Sequence, residues 1–119
     1  MKLFIVMAIL LHSHPMQAHP VPTAGRLVFD TIHSPALAGN LIGDPADRSV
    51  IVYLPPSYAV EQTRRYPVLY LLHGNTQHNT VWVDGTFQGL TILAAMDSLV
   101  AAGSVREMIV VMPDAYNRF

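Results

Sequence analysis

The feature that most constrains this chain is the run Val68-Leu69-Tyr70-Leu71-Leu72, cut off by His73-Gly74. Consecutive apolar residues do not divide into a wet face and a dry face. They suit a strand in a sheet covered on both sides, as parallel strands are. A polar segment, Asn75 to Thr80, follows, and then the only tryptophan, Trp82. Open α/β sheets bind ligands outside the carboxyl ends of their strands, so a glycine-bearing loop at that edge marks a candidate site.

The flanking sequence predicts the rest of such a sheet. Arg26 to His33 is strand-like, with Leu27, Phe29 and Thr31 alternating with Val28, Asp30 and Ile32. Ser34 to Asp47 is rich in proline, glycine, asparagine and aspartate and reads as turn. Ser49 to Leu54 is a second strand, ended by Pro55-Pro56, and the two should pair antiparallel. A polar connection, Ser57 to Arg65, leads to a third strand, Pro67 to Leu72. Apolar residues recur at helical spacing between Phe87 and Ala102, and Gly103 is placed to end that helix. Met108 to Met112 is a fourth strand, closed by Pro113-Asp114. Strand, loop, helix, strand is a βαβ unit, so strands three and four should be parallel.

Composition narrows the partners. Apolar content of 51% and charged content of 13% argue against disorder. The formal charge is -1 without a basic run, so nucleic acid is not an expected partner. The absence of cysteine excludes disulfides and thiolate chemistry. At the N-terminus, Lys2, the apolar stretch Leu3 to Leu11 and the segment ending Met16-Gln17-Ala18 predict a secretory signal peptide over residues 1–18. Cleavage is expected after Ala18, although Met16 is large for its position. The other reading is an N-terminal core helix or an uncleaved anchor. The apolar core is too short to span a bilayer, so no stable membrane anchor is expected after cleavage. Residues 19–25 read as an irregular lead-in, and the domain as 26–119.

One long helix is too little to cover strands this apolar. The expectation is therefore the front portion of a larger domain, since single-domain sheet enzymes often need roughly 200–250 residues.

Taken in order, Tyr53-Leu-Pro-Pro-Ser-Tyr58, Arg65-Tyr-Pro-Val-Leu-Tyr-Leu-Leu-His-Gly74, Trp82 and Met108-Ile-Val-Val-Met-Pro-Asp114 form a recognisable set. From about Arg26 to Phe119 the chain resembles the N-terminal half of the putative-esterase family of α/β-hydrolases. That family includes feruloyl and acetylxylan esterases, and the secreted feruloyl-esterase-like members look most similar. The resemblance implies an α/β-hydrolase sheet with strand four between strands two and three. It also implies ester hydrolysis by a Ser-His-Asp/Glu triad without metal or cofactor. The nucleophile of that fold sits in Gly-x-Ser-x-Gly, followed by the acid and then the histidine. This sequence contains no such motif: Ser57, Ser98 and Ser104 lie in other contexts. No triad residue is therefore assigned within the chain.

The resemblance makes His73-Gly74-Asn75 the oxyanion-side loop, with the backbone N–H of Asn75 as a donor and Gly74 allowing a close turn. A catalytic histidine comes last in chain order, so His73 is expected to shape the loop through hydrogen bonds. His78 and Trp82 are possible substrate-lining residues, against a solvated loop histidine and a packing tryptophan. His12, His14 and His19 are a weak metal cluster, and no metal site is assigned. Asp84 and Asp114 are expected to cap or turn, Asp97 and Glu107 to be solvated, and Tyr53 and Tyr58 to pack the sheet edge. Two functions follow. One is a fragment of a secreted serine carboxylic-ester hydrolase, inactive alone, whose parent takes a small-molecule or polysaccharide-linked ester. The other is a small exported non-catalytic binding protein built on half a hydrolase sheet.

Overall fold

The structure, a computed structural model, describes residues 20–118. The expected signal peptide, its cleavage point at Ala18, and His12, His14 and His19 lie outside the described residues. Pro20 to Gly25 run in without helix or strand.

Strand β1 (Arg26–His33) pairs antiparallel with β2 (Asp47–Leu54), in register from Arg26 opposite Leu54 to His33 opposite Asp47. Strand β3 (Val68–Tyr70) pairs parallel with β4 (Ile109–Pro113), and β4 pairs antiparallel with β2. The order is β1-β2-β4-β3, so the last strand in the chain lies between the second and third. This is the order the resemblance implied.

The helix α1 (Ile92–Ala101) is shorter than the expected Phe87–Ala102. Gln88 and Gly89 both hold positive φ, 56° and 74°, which no α-helix accommodates. Thr91 then caps the helix, its side chain accepting the N–H of Ala94 at 3.3 Å. The far end follows expectation. Gly103 sits at φ 67°, its N–H donating to Val100 and that of Ser104 to Leu99, which together form a Schellman motif.

The core joins α1 to one face of the sheet. Ile51 and Tyr53 from β2, Val110 and Met112 from β4, and Met96 from α1 are buried together. Ile92, Leu93, Val100, Leu27 and Leu71 pack around them. Tyr53 is thus central and not at the sheet edge as expected, because β2 is an interior strand. Tyr58 lies apart, its ring 5.6 Å from that of Tyr66.

Two expected solvated charges are structural. Asp97 accepts the Tyr53 hydroxyl at 2.9 Å and the Gly25 N–H at 2.8 Å. That contact ties the lead-in to α1, and a Cβ on Gly25 would strike the Tyr53 ring and the Leu54 carbonyl. Burial first, and then the hydrogen bond to Asp97, hold the Tyr53 phenol well above its ordinary pKa. Glu107 accepts the Ser57 N–H at 3.1 Å and the Ser57 hydroxyl, and pairs with Arg64 at 2.7 Å. Helical spacing and polarity could not reveal partners this distant in sequence.

The third strand lacks the double cover that its apolar run suits, in line with the shortage of helix noted in the sequence. Its ladder runs from the Pro67 carbonyl, bonded to Ile109 N–H, to the Leu71 N–H, bonded to the Val111 carbonyl. Its side chains are not covered on both faces: Val68, Leu69 and Tyr70 are all exposed, Tyr70 by 68%. The strand is an edge, and among the described residues α1 is the only α-helix.

Removing a partner from a buried donor costs more than the bond itself contributes. Asp97→Ala should lower unfolding stability by about 2 kcal/mol, and Tyr53→Phe, which leaves Asp97 and Gly25 paired, by about 1 kcal/mol. Equilibrium urea unfolding checks both values and their order.

Candidate functional site

Parallel β3 and β4 release their following loops at the same edge of the sheet. Leu72 to Thr76 form one wall of a cavity of about 230 Å³, and Ala115 to Asn117 form the other. His73, Gly74 and Asn75 are thereby brought together at this edge. His78 stands beside them. Trp82 does not line this cavity; it packs against the core, with its ring 5.7 Å from that of Phe87.

His73 is inside the protein, with its side chain only 5% exposed. Its Nδ1 is 2.9 Å from the Gly74 carbonyl, and its Nε2 is 2.9 Å from the Ala115 N–H. A carbonyl only accepts and an amide N–H only donates. The ring therefore carries its proton on Nδ1 and accepts at Nε2. Both ring nitrogens are committed to backbone, which links the two walls and leaves neither free for proton transfer.

Asp114 adds a second link. Its backbone N–H donates to the Ser49 carbonyl at 2.8 Å, fixing it at the end of β4. Its Oδ1 accepts the Tyr116 N–H at 3.1 Å, the turn role expected of it, and also lies 3.1 Å from His73 Nε2. Its Oδ2 accepts from His78 Nδ1 at 2.9 Å. The His78 ring, 54% exposed, stacks on Tyr116 with centroids 4.6 Å apart. Burial raises the carboxyl's pKa. The hydrogen bonds from His78 and Tyr116 N–H and the nearby histidine charge outweigh it, leaving the net value below 3.8.

Sequence reasoning missed a third anchor. Asn79, fully buried, donates through Nδ2 to the Met112 carbonyl at 3.1 Å and to Ser49 Oγ at 3.2 Å. It pins the end of the loop to both β4 and β2. Nothing marks this residue in the sequence except a polar side chain just before the apolar Val81-Trp82-Val83. The other wall is held from the start of β2 and the connection before it. Arg48 Nη1 donates to the Tyr116 carbonyl at 2.6 Å, and the buried Asp44 accepts the Arg118 N–H at 3.1 Å.

Between its anchors the loop turns sharply. The left-handed residue of the turn is Thr76, at φ 62°. A Cβ on Gly74 would meet the Gln77 side-chain oxygen at 2.9 Å, a flexible neighbour that accepts the Gly74 N–H. Thr76 is β-branched, so its conformation is costly and must be held by the contacts around it. Among the described residues, the Asn75 N–H makes no hydrogen bond.

Among the described residues no three histidine, aspartate or glutamate side chains are grouped as metal ligands. No described serine is placed beside a catalytic base. Ser57 is buried and engaged with Glu107, Arg64 and Tyr66.

The family model described as "Putative esterase" matches residues 45–118, which include both loops. The chain belongs to that family. An endo-1,4-beta-xylanase/feruloyl esterase of Xylanibacter ruminicola is 42% identical over 64 residues, 51% of this chain and 8% of that protein. A solved ferulic acid esterase superposes with a TM-score of 0.65 at 36% identity, covering 79% of this chain. The feruloyl esterase module from Clostridium thermocellum, a serine-to-alanine mutant complexed with sinapinate, gives a TM-score of 0.57 at 28% identity over 80% of this chain. The chain spans 31% and 29% of those two structures. The four-stranded sheet is thus part of an esterase α/β fold.

A depressed carboxylate pKa stabilises the folded state above the ordinary value, and that stability is lost as pH falls through the folded value. Asp114 should therefore contribute stability that disappears below pH 3.8. Asp114→Asn should flatten the dependence of the urea midpoint on pH in that acid range. Asn79→Ala should cost about 2 kcal/mol at neutral pH, since it removes the side-chain donor to the buried Met112 carbonyl and releases the loop from both strands. The same unfolding measurement checks it.

Proposed function

We propose that this chain supplies the oxyanion-side loop of a serine carboxylic-ester hydrolase acting on feruloyl-type esters. The observation that carries this reading is the Asn75 N–H, unengaged among the described residues within a loop anchored on both sides of a cavity at the strand ends. In acyl transfer a serine oxygen adds to the ester carbonyl carbon, and negative charge gathers on the carbonyl oxygen. Fixed N–H donors stabilise that charge without reorganising. In α/β-hydrolases one donor follows the nucleophile and the other lies in the loop after the third strand. Collapse of the intermediate expels the alcohol, which takes a proton from the histidine, and water then cleaves the acyl-enzyme. Asn75 N–H is our second donor. His73 holds the loop and transfers no proton.

The nucleophile, its acid and its histidine are not assigned to any residue of this sequence, which contains no Gly-x-Ser-x-Gly. The 119 residues by themselves should not hydrolyse esters. The relatives named for feruloyl esterase activity support the substrate class, and the N-terminal Lys2-to-Ala18 pattern supports export.

The test is a chimera in which this chain replaces the matching N-terminal part of the C. thermocellum module, with its nucleophilic serine intact. The chimera should hydrolyse a feruloyl ester. Asn75→Pro, which deletes the N–H, should lower kcat about 10²–10³-fold with KM little changed. Asn75→Ala, which keeps the N–H, should stay close to the parent. Equal rates for the Pro and Ala variants would remove Asn75 from the oxyanion role.

A further inference from the structure

The loop after β3 is unusual in what holds it. Its first histidine faces inward and its second faces outward, and both lie beside one carboxylate from the other loop, to which His78 donates. Asp114 lies 3.1 Å from His73 Nε2 and 2.9 Å from His78 Nδ1. The two histidines bracket Gly74 to Gln77, the stretch that contains the Asn75 N–H and the left-handed Thr76. Asp114 is itself fixed, through its N–H on Ser49 of β2 and through the Tyr116 N–H on its Oδ1.

We propose that Asp114 is a positioning residue for this site: acting through His78, it holds the Gly74–Thr76 turn in the one arrangement that presents the Asn75 N–H to the cavity. This deepens the oxyanion reading and rests on it for its meaning in catalysis, although the order of the loop can be read without substrate.

The chemistry fits a clamp better than a proton relay. Asp114 cannot share a proton with His73, whose Nε2 already accepts from Ala115. His78 is the adjustable partner, because its ring is exposed and, among the described residues, is steadied by Asp114 and the Tyr116 stack. A turn with a threonine at φ 62° relaxes when its ends are released. Loss of the Asp114 contact should therefore be felt at Asn75 and Thr76 and not in the core.

The experiment uses the full ¹⁵N-labelled chain and backbone relaxation. In the wild type the amides of Asn75 and Thr76 should have order parameters near about 0.85, like those of Val110 and Ile51. In Asp114→Ala the two loop values should fall below about 0.6 while Val110 and Ile51 stay unchanged. Asp114→Asn keeps an acceptor for Tyr116 N–H and a polar partner for His78, and should restore the loop values. His78→Phe keeps a ring against Tyr116 but has no donor. It should loosen the loop as Asp114→Ala does, and it provides the measurement should Asp114→Ala fail to fold. Unchanged loop values in Asp114→Ala and His78→Phe would overturn the proposal, as would an equal loss of order at Val110 and Ile51. If instead the loop loosens as stated but the chimera's Asn75→Pro variant keeps full activity, the clamp stands and the oxyanion reading fails.

Discussion

Everything in this chain depends on the fourth strand being paired on both sides. β4 bonds antiparallel to β2 through Val50 to Tyr53 and parallel to β3 through Val68 to Tyr70. Its alternate residues Val110 and Met112 are fully buried beneath α1. Removing it would leave a two-stranded hairpin and a separate apolar segment, neither with enough covered surface to be stable alone. The parallel half of that pairing also has a chemical consequence, because it brings the ends of β3 and β4, and so the two loops, to the same edge.

The loops are then joined by side chains and not by sheet hydrogen bonds. His73 reaches from the first loop to the backbone of the second, Asp114 reaches back to His78, and Asn79 returns the first loop to the strands. Each of these groups is polar and each is tied to a partner across the gap. In such a network a half-satisfied member costs more than an apolar replacement would. The arrangement leaves the Asn75 N–H outside the network.

The strands and the helix end were legible because they follow from repeated or local signals, whereas the place of β4 between β2 and β3 came from the resemblance. Apolar runs marked the strands, and Gly103 marked the stop of α1. The start of α1 was not legible: Phe87 and Leu90 continue the apolar spacing, and only the conformations of Gln88 and Gly89 break it. Asp97 and Glu107 looked like solvent-facing charges, since their partners Tyr53, Gly25 and Ser57 are far away in sequence. The exposure of Val68, Leu69 and Tyr70 was legible only indirectly, because a single long helix is too little to cover strands this apolar. At the site, the His73-Gly74-Asn75 segment was readable from its resemblance to esterases. Asn79 was invisible, because a buried asparagine differs from a solvated one only in its tertiary neighbours.

The strand order also sets a schedule. β3 leaves the ribosome before α1 and β4, yet its sheet partner is β4, with Val68 opposite Ile109. Roughly forty residues must be added before that partner exists, which takes about 2–8 s at typical synthesis rates. Through that interval the apolar run Val68 to Leu72 has no sheet partner. Whatever shields Val68 to Leu72 from other nascent strands during those seconds affects the yield of folded protein as directly as any contact in the finished sheet.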